Sequence, residues 1–200
     1  MLLRHVWEIL SEPRTAWTSI RDEERSIPDL YLGVIAPLAL ISPIAGFIGT
    51  TSFGWQIGAG DPLKLTVSSA AQISIVYFGA ILITVFVIGA LIHWMSDTYG
   101  ARQPLARCVA IATYAAVPLF LVGFAQVYPV LWMNFLIGLP ALAYAVYLLY
   151  LGIPIVMNIP TERGFLFSSA VLAVGLVALV GLLASTVVLW SYGLGPNFTN

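Results

Sequence analysis

The chain has 200 residues, of which 60% are hydrophobic and 8% are charged, and its net charge at pH 7 is -1. Soluble domains carry about 25% charged residues, so the composition excludes an ordinary soluble domain, a disordered chain and a nucleic-acid-binding domain. The single cysteine excludes an internal disulfide framework. The composition therefore predicts one domain embedded in a lipid bilayer.

The charged residues are confined to short segments. None of Asp, Glu, Lys or Arg occurs in residues 30–60, 65–96, 108–161 or 164–200. Because a helical span needs about 20 apolar residues, these blocks accommodate five spans, at residues 31–50, 67–95, 105–125, 130–152 and 164–190. We therefore predict an all-α polytopic membrane protein with an arm (residues 1–29), a five-span membrane domain (residues 30–195) and a short exterior tail (residues 196–200).

The arm has the pattern of an amphipathic helix, because its apolar residues recur at helical spacing on either side of Pro13. It lacks the apolar core of a cleavable signal peptide. A tryptophan-bearing amphipathic segment beside a span favours a position in the cytoplasmic membrane interface, and docking to a partner is the alternative. The candidate contact residues are Trp7, Arg14, Trp17 and Arg21.

The basic residues predict the orientation of the chain. With five spans, seven of the eight Lys and Arg residues fall on one face, and only Lys64 falls on the other. Basic residues are retained on the cytoplasmic side of a membrane. We therefore expect a cytoplasmic N-terminus and a periplasmic C-terminus in a bacterial inner membrane.

Neutral polar residues remain inside the predicted spans. The most prominent are Gln72, Tyr114, Asn134, Tyr144 and Tyr147. They are interpreted either as packing contacts between helices, each contributing under about 2 kcal/mol, or as the lining of a polar substrate path. The absence of any charged residue from the middle of a predicted span argues against ion-coupled transport.

His93 and Asp97 are the most suggestive chemical pair, since residues four apart share one face of a helix. Their spacing fits an element of intramembrane CAAX-type proteases, but the Glu-Glu-Arg element and the second intramembrane histidine of that family are missing. We expect the pair to be a polar cap at a helix end, and we expect no enzyme activity, no metal site and no cofactor.

Several segments of the chain resemble the Yip family in its bacterial branch. They are PRTAWTSIRDE at residues 13–23, YLGVIAPLA at 31–39, YAAVP at 114–118, YAVYLLYLG at 144–152 and MNIPTE at 157–162. The resemblance implies five spans with a cytoplasmic N-terminus. It also implies kinship with eukaryotic members that interact with prenylated Rab/Ypt GTPases in the early secretory pathway.

Two functional hypotheses follow. The first is a non-enzymatic scaffold or membrane-organising protein that binds membrane lipids, or a membrane or cytoplasmic protein, through its arm and helix faces. The alternative is a small oligomeric transporter or channel for a neutral or lipid-like substrate, using Gln72, Tyr114 and Asn134. A homo-oligomer is compatible with both hypotheses.

Overall fold

The computed structural model describes residues 2–56, 61–191 and 197–199, and these residues are predominantly helical. In chain order the helices are α1 (Leu2–Ser11), α2 (Pro13–Asp22), α3 (Ile27–Phe53), α4 (Val67–Ser96), α5 (Leu105–Ala115), α6 (Val117–Val127), α7 (Leu131–Met157) and α8 (Thr161–Ser191). Within this described part, extended pairing is limited to three isolated bridges.

The two arm helices form separately because Pro13 interrupts them. Pro13 is the first residue of α2, where its missing N–H removes no helical hydrogen bond. The hydroxyl of Ser26 accepts from the backbone N–H of Asp29, and the Asp29 carboxylate accepts from the backbone N–H of Ser26. This reciprocal capping box begins α3 close to the predicted start of the first span.

Prolines shape the membrane helices. α3 contains wide turns at Tyr31–Ile35 and Gly49–Phe53, the first of which ends two residues before Pro37. The axes of α5 and α6 differ by 44°, and Pro118, which lacks a backbone donor, lies at the junction. α7 continues through Pro140 and Pro154.

Three described helices, α3, α4 and α7, are long and apolar enough to cross a membrane, and the bent pair α5 and α6 adds a fourth if it forms one span. α7 continues to Met157, beyond the predicted end of the fourth span at residue 152. The predicted fifth span falls within α8, and it lies partly outside the residues whose side chains are described. The predicted tail, residues 196–200, is also described only in part.

The connections gather at two opposite groups of helix ends. In one group, the backbone of Gln56 bonds to Pro129 and Leu131, and the backbone N–H of Thr199 donates to the carbonyl of Lys64. In the other group, the amide of Gln103 donates to the carbonyl of Met157, and the ring of Tyr99 stacks on Phe167. We call the second group the arm end, because the arm helices pack there.

The described core is concentrated at the arm end. Its largest buried side chains include Ile9, Trp17, Ile92, Tyr114, Leu148 and Phe167, each at most 1% exposed. Large apolar side chains farther along the same helices are exposed, among them Val76, Trp132, Leu136 and Val177. An apolar surface of this kind is suited to contact with lipid, whereas the arm helices add to the buried core at the arm end.

Close contact between α4 and α5 depends on a glycine. A Cβ built on Gly89 would lie 2.6 Å from Cγ2 of Val109 and 2.8 Å from its Cα, whereas one built on Gly79 would meet no atom within 4 Å. We therefore expect Gly89→Leu to destabilise the fold by ~1–3 kcal/mol through overpacking, measured by unfolding in SDS followed by circular dichroism. The matched variant Gly79→Leu is expected to leave the midpoint unchanged. Equal effects of the two substitutions would contradict the close approach.

Candidate functional site

The arm is held to the bundle by Trp17. Its side chain is fully buried, together with those of Ala16 and Ile20 on the same face of α2. A Cβ built on Gly152 of α7 would lie 2.6 Å from Cε2 and Cζ2 of Trp17, so only glycine leaves room for the indole. The indole Nε1 is buried and has no hydrogen-bond acceptor among the described residues. The contact between α2 and α7 is therefore one of shape and apolar burial.

α1 is attached to the same helix by a hydrogen bond. The hydroxyl of Tyr144 donates to the carbonyl of Leu10 at 2.9 Å, with the carbonyl of Ile9 at 3.4 Å. These carbonyls belong to the last turn of α1, where helical partners are lacking. The ring of Tyr144 also stacks on Tyr147 at a centroid distance of 5.6 Å. Tyr144, one of the polar residues selected from the sequence, thus joins α7 to the arm.

A polar chain runs from the arm into the bundle. Nε2 of His5, which is 3% exposed, donates to the Glu23 carboxylate at 2.8 Å. That carboxylate also pairs with Nε of Arg25 at 2.6 Å, and Nη1 of Arg25 donates to the hydroxyl of Tyr114 at 3.3 Å. These groups connect α1, α5 and the segment that follows α2. Charged side chains therefore contribute to fixing the arm.

Glu8 lies at the outer edge of this polar chain. Nδ1 of His5 is 3.2 Å from Oε2 of Glu8, although this contact lacks hydrogen-bond geometry. Nε of Arg4 donates to the same carboxylate at 2.7 Å, and that hydrogen bond lowers the pKa of Glu8. The carboxylate beside His5 is therefore ionised at neutral pH.

A cavity of about 210 Å³ opens where the arm meets α5. Its charged lining consists of Glu23, Glu24, Arg25 and Arg107, and Tyr114 lines it as well. Its apolar lining includes Ile20, Leu30 and Ala110. The cavity thus combines balanced charge with apolar walls, and we call it the arm cavity.

The arm residues predicted as contact candidates separate into two groups. Trp17 faces the bundle, whereas Trp7 is 71% exposed and Arg14 is also exposed. Arg21 is partly exposed, and its Nε pairs with Asp22 at 2.9 Å. Trp7, Arg14 and Arg21 form the outward surface of the docked arm.

The structure does not bring the candidate polar path together. Tyr114 lines the arm cavity, but Gln72 and Asn134 do not. Gln72 is exposed, and the amide of Asn134 donates to the carbonyl of Tyr128 at 3.1 Å, within the connection before α7. Tyr144 belongs to the arm contact described above, and Tyr147 stacks on its ring. These positions favour packing and capping over a path formed by the same residues.

His93 and Asp97 are engaged with the connection after α4. Nδ1 of His93 donates to the carbonyl of Gln103 at 2.9 Å, and the Asp97 carboxylate pairs with Nε of Arg102 at 2.9 Å. Both line an open hollow of about 510 Å³. Within the described part of the chain, no group of three His, Cys, Asp or Glu side chains is placed to hold a metal ion.

Sequence reasoning missed the residues that complete this site: His5, Glu23, Glu24, Arg25, Arg107 and Gly152. Part of the signal was present, because His5 and Ile9 are separated by one helical turn and both are buried. The pairing of Gly152 with Trp17 had no signal along the chain, since it joins residues of distant helices.

The chain resembles known proteins along most of its length. The family described as the Yip1 domain matches residues 7–182. The chain is also 42% identical over 191 residues to "Inner membrane protein YohC" of Escherichia coli strain K12, covering 96% of this chain and 98% of that protein. The protein of the same name from Escherichia coli O6:H1 has the same identity and coverage. No solved structure matches the chain.

Proposed function

The chain belongs to the Yip1 domain family, and on that premise we propose that it is a non-enzymatic scaffold of the bacterial inner membrane that binds lipids or protein partners. The observation that carries this proposal is the docked arm. Trp17 is buried against Gly152, while Trp7 remains exposed on the outside of the arm. In this proposal the docked arm presents a fixed outer surface beside the membrane.

The proposed topology has five spans, a cytoplasmic N-terminus and a periplasmic C-terminus. This topology is supported by the connections between helices, which lie in two groups at opposite ends of the bundle. The arm end holds Arg25, Arg102, Arg107 and Arg163, whereas Lys64 lies in the opposite group. A concentration of basic residues on one side favours retention of that side in the cytoplasm. The exposed Trp94, near the arm end of α4, is suited to the membrane interface at the same level.

The proposal predicts specific contacts from the outer surface of the arm. A photoreactive amino acid at position 7 is expected to give discrete adducts with a lipid class or with one membrane or cytoplasmic protein, measured by mass spectrometry after irradiation of native membranes. The adducts should weaken in the Gly152→Leu background, where Trp17 loses its place, and persist in the Gly138→Leu background, because a Cβ on Gly138 meets no atom within 4 Å.

The matched control is a photoreactive amino acid at position 132, where the exposed Trp132 lies at the opposite end of the bundle. This position is expected to react only with bulk lipid. Adducts at position 7 that match those at position 132, or that do not depend on position 152, would contradict the scaffold proposal. Irradiation in nanodiscs of purified lipid separates direct lipid contact from contact with a protein partner.

A further inference from the structure

Of the four charged residues that line the arm cavity, two form an ion pair with each other. Glu23 and Arg25 pair with each other at 2.6 Å. Glu24 and Arg107, which line the same cavity, have no oppositely charged side-chain atom within 4 Å among the described residues. Arg107 donates to the neutral amide oxygen of Gln103. Glu24 is exposed at the rim of the cavity and Arg107 is half-buried, so one carboxylate and one guanidinium are available to a ligand that enters from outside.

The two available charges define the chemistry of that ligand. A guanidinium is well matched to phosphate oxygens, and a carboxylate accepts hydrogen bonds from a primary ammonium group. An anionic ligand would leave Glu24 facing like charge, and a cationic ligand would leave Arg107 facing like charge. Charge complementarity therefore favours a zwitterion that carries both a phosphate and a primary amine.

The position and size of the cavity indicate that this zwitterion is part of a lipid. Leu30 and Ala110, which line the cavity, belong to α3 and α5, helices that we propose as membrane spans. The volume of about 210 Å³ is below the roughly 300–1,000 Å³ of pockets that enclose a whole drug-sized ligand. It suits a headgroup whose acyl chains remain in the bilayer.

We propose that the arm cavity binds the headgroup of an aminophospholipid, phosphatidylethanolamine, from the adjacent leaflet, with its phosphate on Arg107 and its ammonium on Glu24. The inference deepens the proposed function and rests on it, because that function places the arm end beside the cytoplasmic leaflet.

The test compares lipid retention by the purified full chain. Nanodiscs contain equal amounts of phosphatidylethanolamine, phosphatidylcholine and phosphatidylglycerol, and the lipids that remain bound after mild detergent extraction are counted by native mass spectrometry. Phosphatidylethanolamine should be retained above its share of the disc. Glu24→Gln should reduce its preference over phosphatidylcholine by roughly tenfold, because the choline headgroup has no N–H to donate. Arg107→Gln should reduce retention of both lipids.

Matched controls use exposed arm residues outside the cavity. Glu12→Gln and Arg14→Gln make the same charge changes at exposed positions and should retain the preference. Circular dichroism of each variant verifies that the helices are formed. Glycerophosphoethanolamine should displace the bound lipid at concentrations where inorganic phosphate does not.

Three results would overturn the lipid site: preferential retention of phosphatidylglycerol, no lipid above its share of the disc, or a preference unaffected by both Glu24→Gln and Arg107→Gln. Equal displacement by inorganic phosphate would also overturn it, since the cavity would then recognise phosphate alone. If any of these occurred while the specific adducts at position 7 persisted, the proposed scaffold would stand without this lipid. Loss of those adducts would instead contradict the scaffold.

Discussion

Trp17→Ala is expected to destabilise the folded chain by about 3–5 kcal/mol, the range for removal of a buried aromatic side chain. Trp17 is fully buried between α2 and α7 and meets the ring of Tyr114 edge-on at a centroid distance of 6.5 Å. An undocked tryptophan can enter the membrane interface instead of water, so we expect the lower end of the range. Unfolding in SDS, followed by circular dichroism, measures the change.

Two further variants test whether the loss of stability comes from the buried position of Trp17. Trp7→Ala removes a tryptophan that is 71% exposed and should change stability by no more than about 0.5 kcal/mol. Trp17→Phe keeps an aromatic ring and removes the buried Nε1–H that lacks an acceptor, whose burial is itself unfavourable. It should therefore cost clearly less than Trp17→Ala. Equal losses in Trp7→Ala and Trp17→Ala would contradict the inward position of Trp17.

Gly152→Leu is also expected to lower the stability of the folded chain strongly. The added side chain would occupy the space of the Trp17 indole, whose nearest carbons lie 2.6 Å from a Cβ at this position. Overpacking of this kind costs ~1–3 kcal/mol, and release of the arm adds the loss of its other contacts, including the hydrogen bond from Tyr144 to Leu10. The same unfolding assay measures it. The control on the same helix, Gly138→Leu, should have little effect.

The stability effects of substitutions at positions 17 and 152 should be coupled. When Trp17→Ala has already emptied the space, a leucine at position 152 has room, so Gly152→Leu should cost much less in that background than in the parent chain. Additive losses would show that Gly152 and Trp17 do not share one space. That outcome would contradict the docked position of α2.

The sequence was sufficient to locate the long apolar helices that the structure describes, because charged residues are excluded from such helices and mark where they begin and end. The predicted second span, residues 67–95, closely matches α4, Val67–Ser96. The family resemblance is confirmed by the match over residues 7–182. The fifth span, the orientation and the interfacial position of the arm stay predictions.

The candidate site was predictable only in part. Tyr114 was selected as a polar residue in a span and does line the arm cavity. Its partner Arg25, in contrast, lies 89 residues away along the chain, so only the folded structure brings the two together. Trp7 and Trp17 have the same side chain, and periodicity does not tell which one faces the bundle. The deciding feature is Gly152, a helix glycine whose role is visible only opposite the indole.

The docking of the arm is tested most directly by thiol labelling in nanodiscs with a membrane-impermeant maleimide, after Cys108→Ala removes the native thiol. Ala16 is fully buried and Thr15 is exposed, so Thr15→Cys should label rapidly and Ala16→Cys should be protected. Gly152→Leu should make the thiol at position 16 reactive, whereas Gly138→Leu should leave it protected. Labelling at position 16 that does not depend on position 152 would contradict the docked arm.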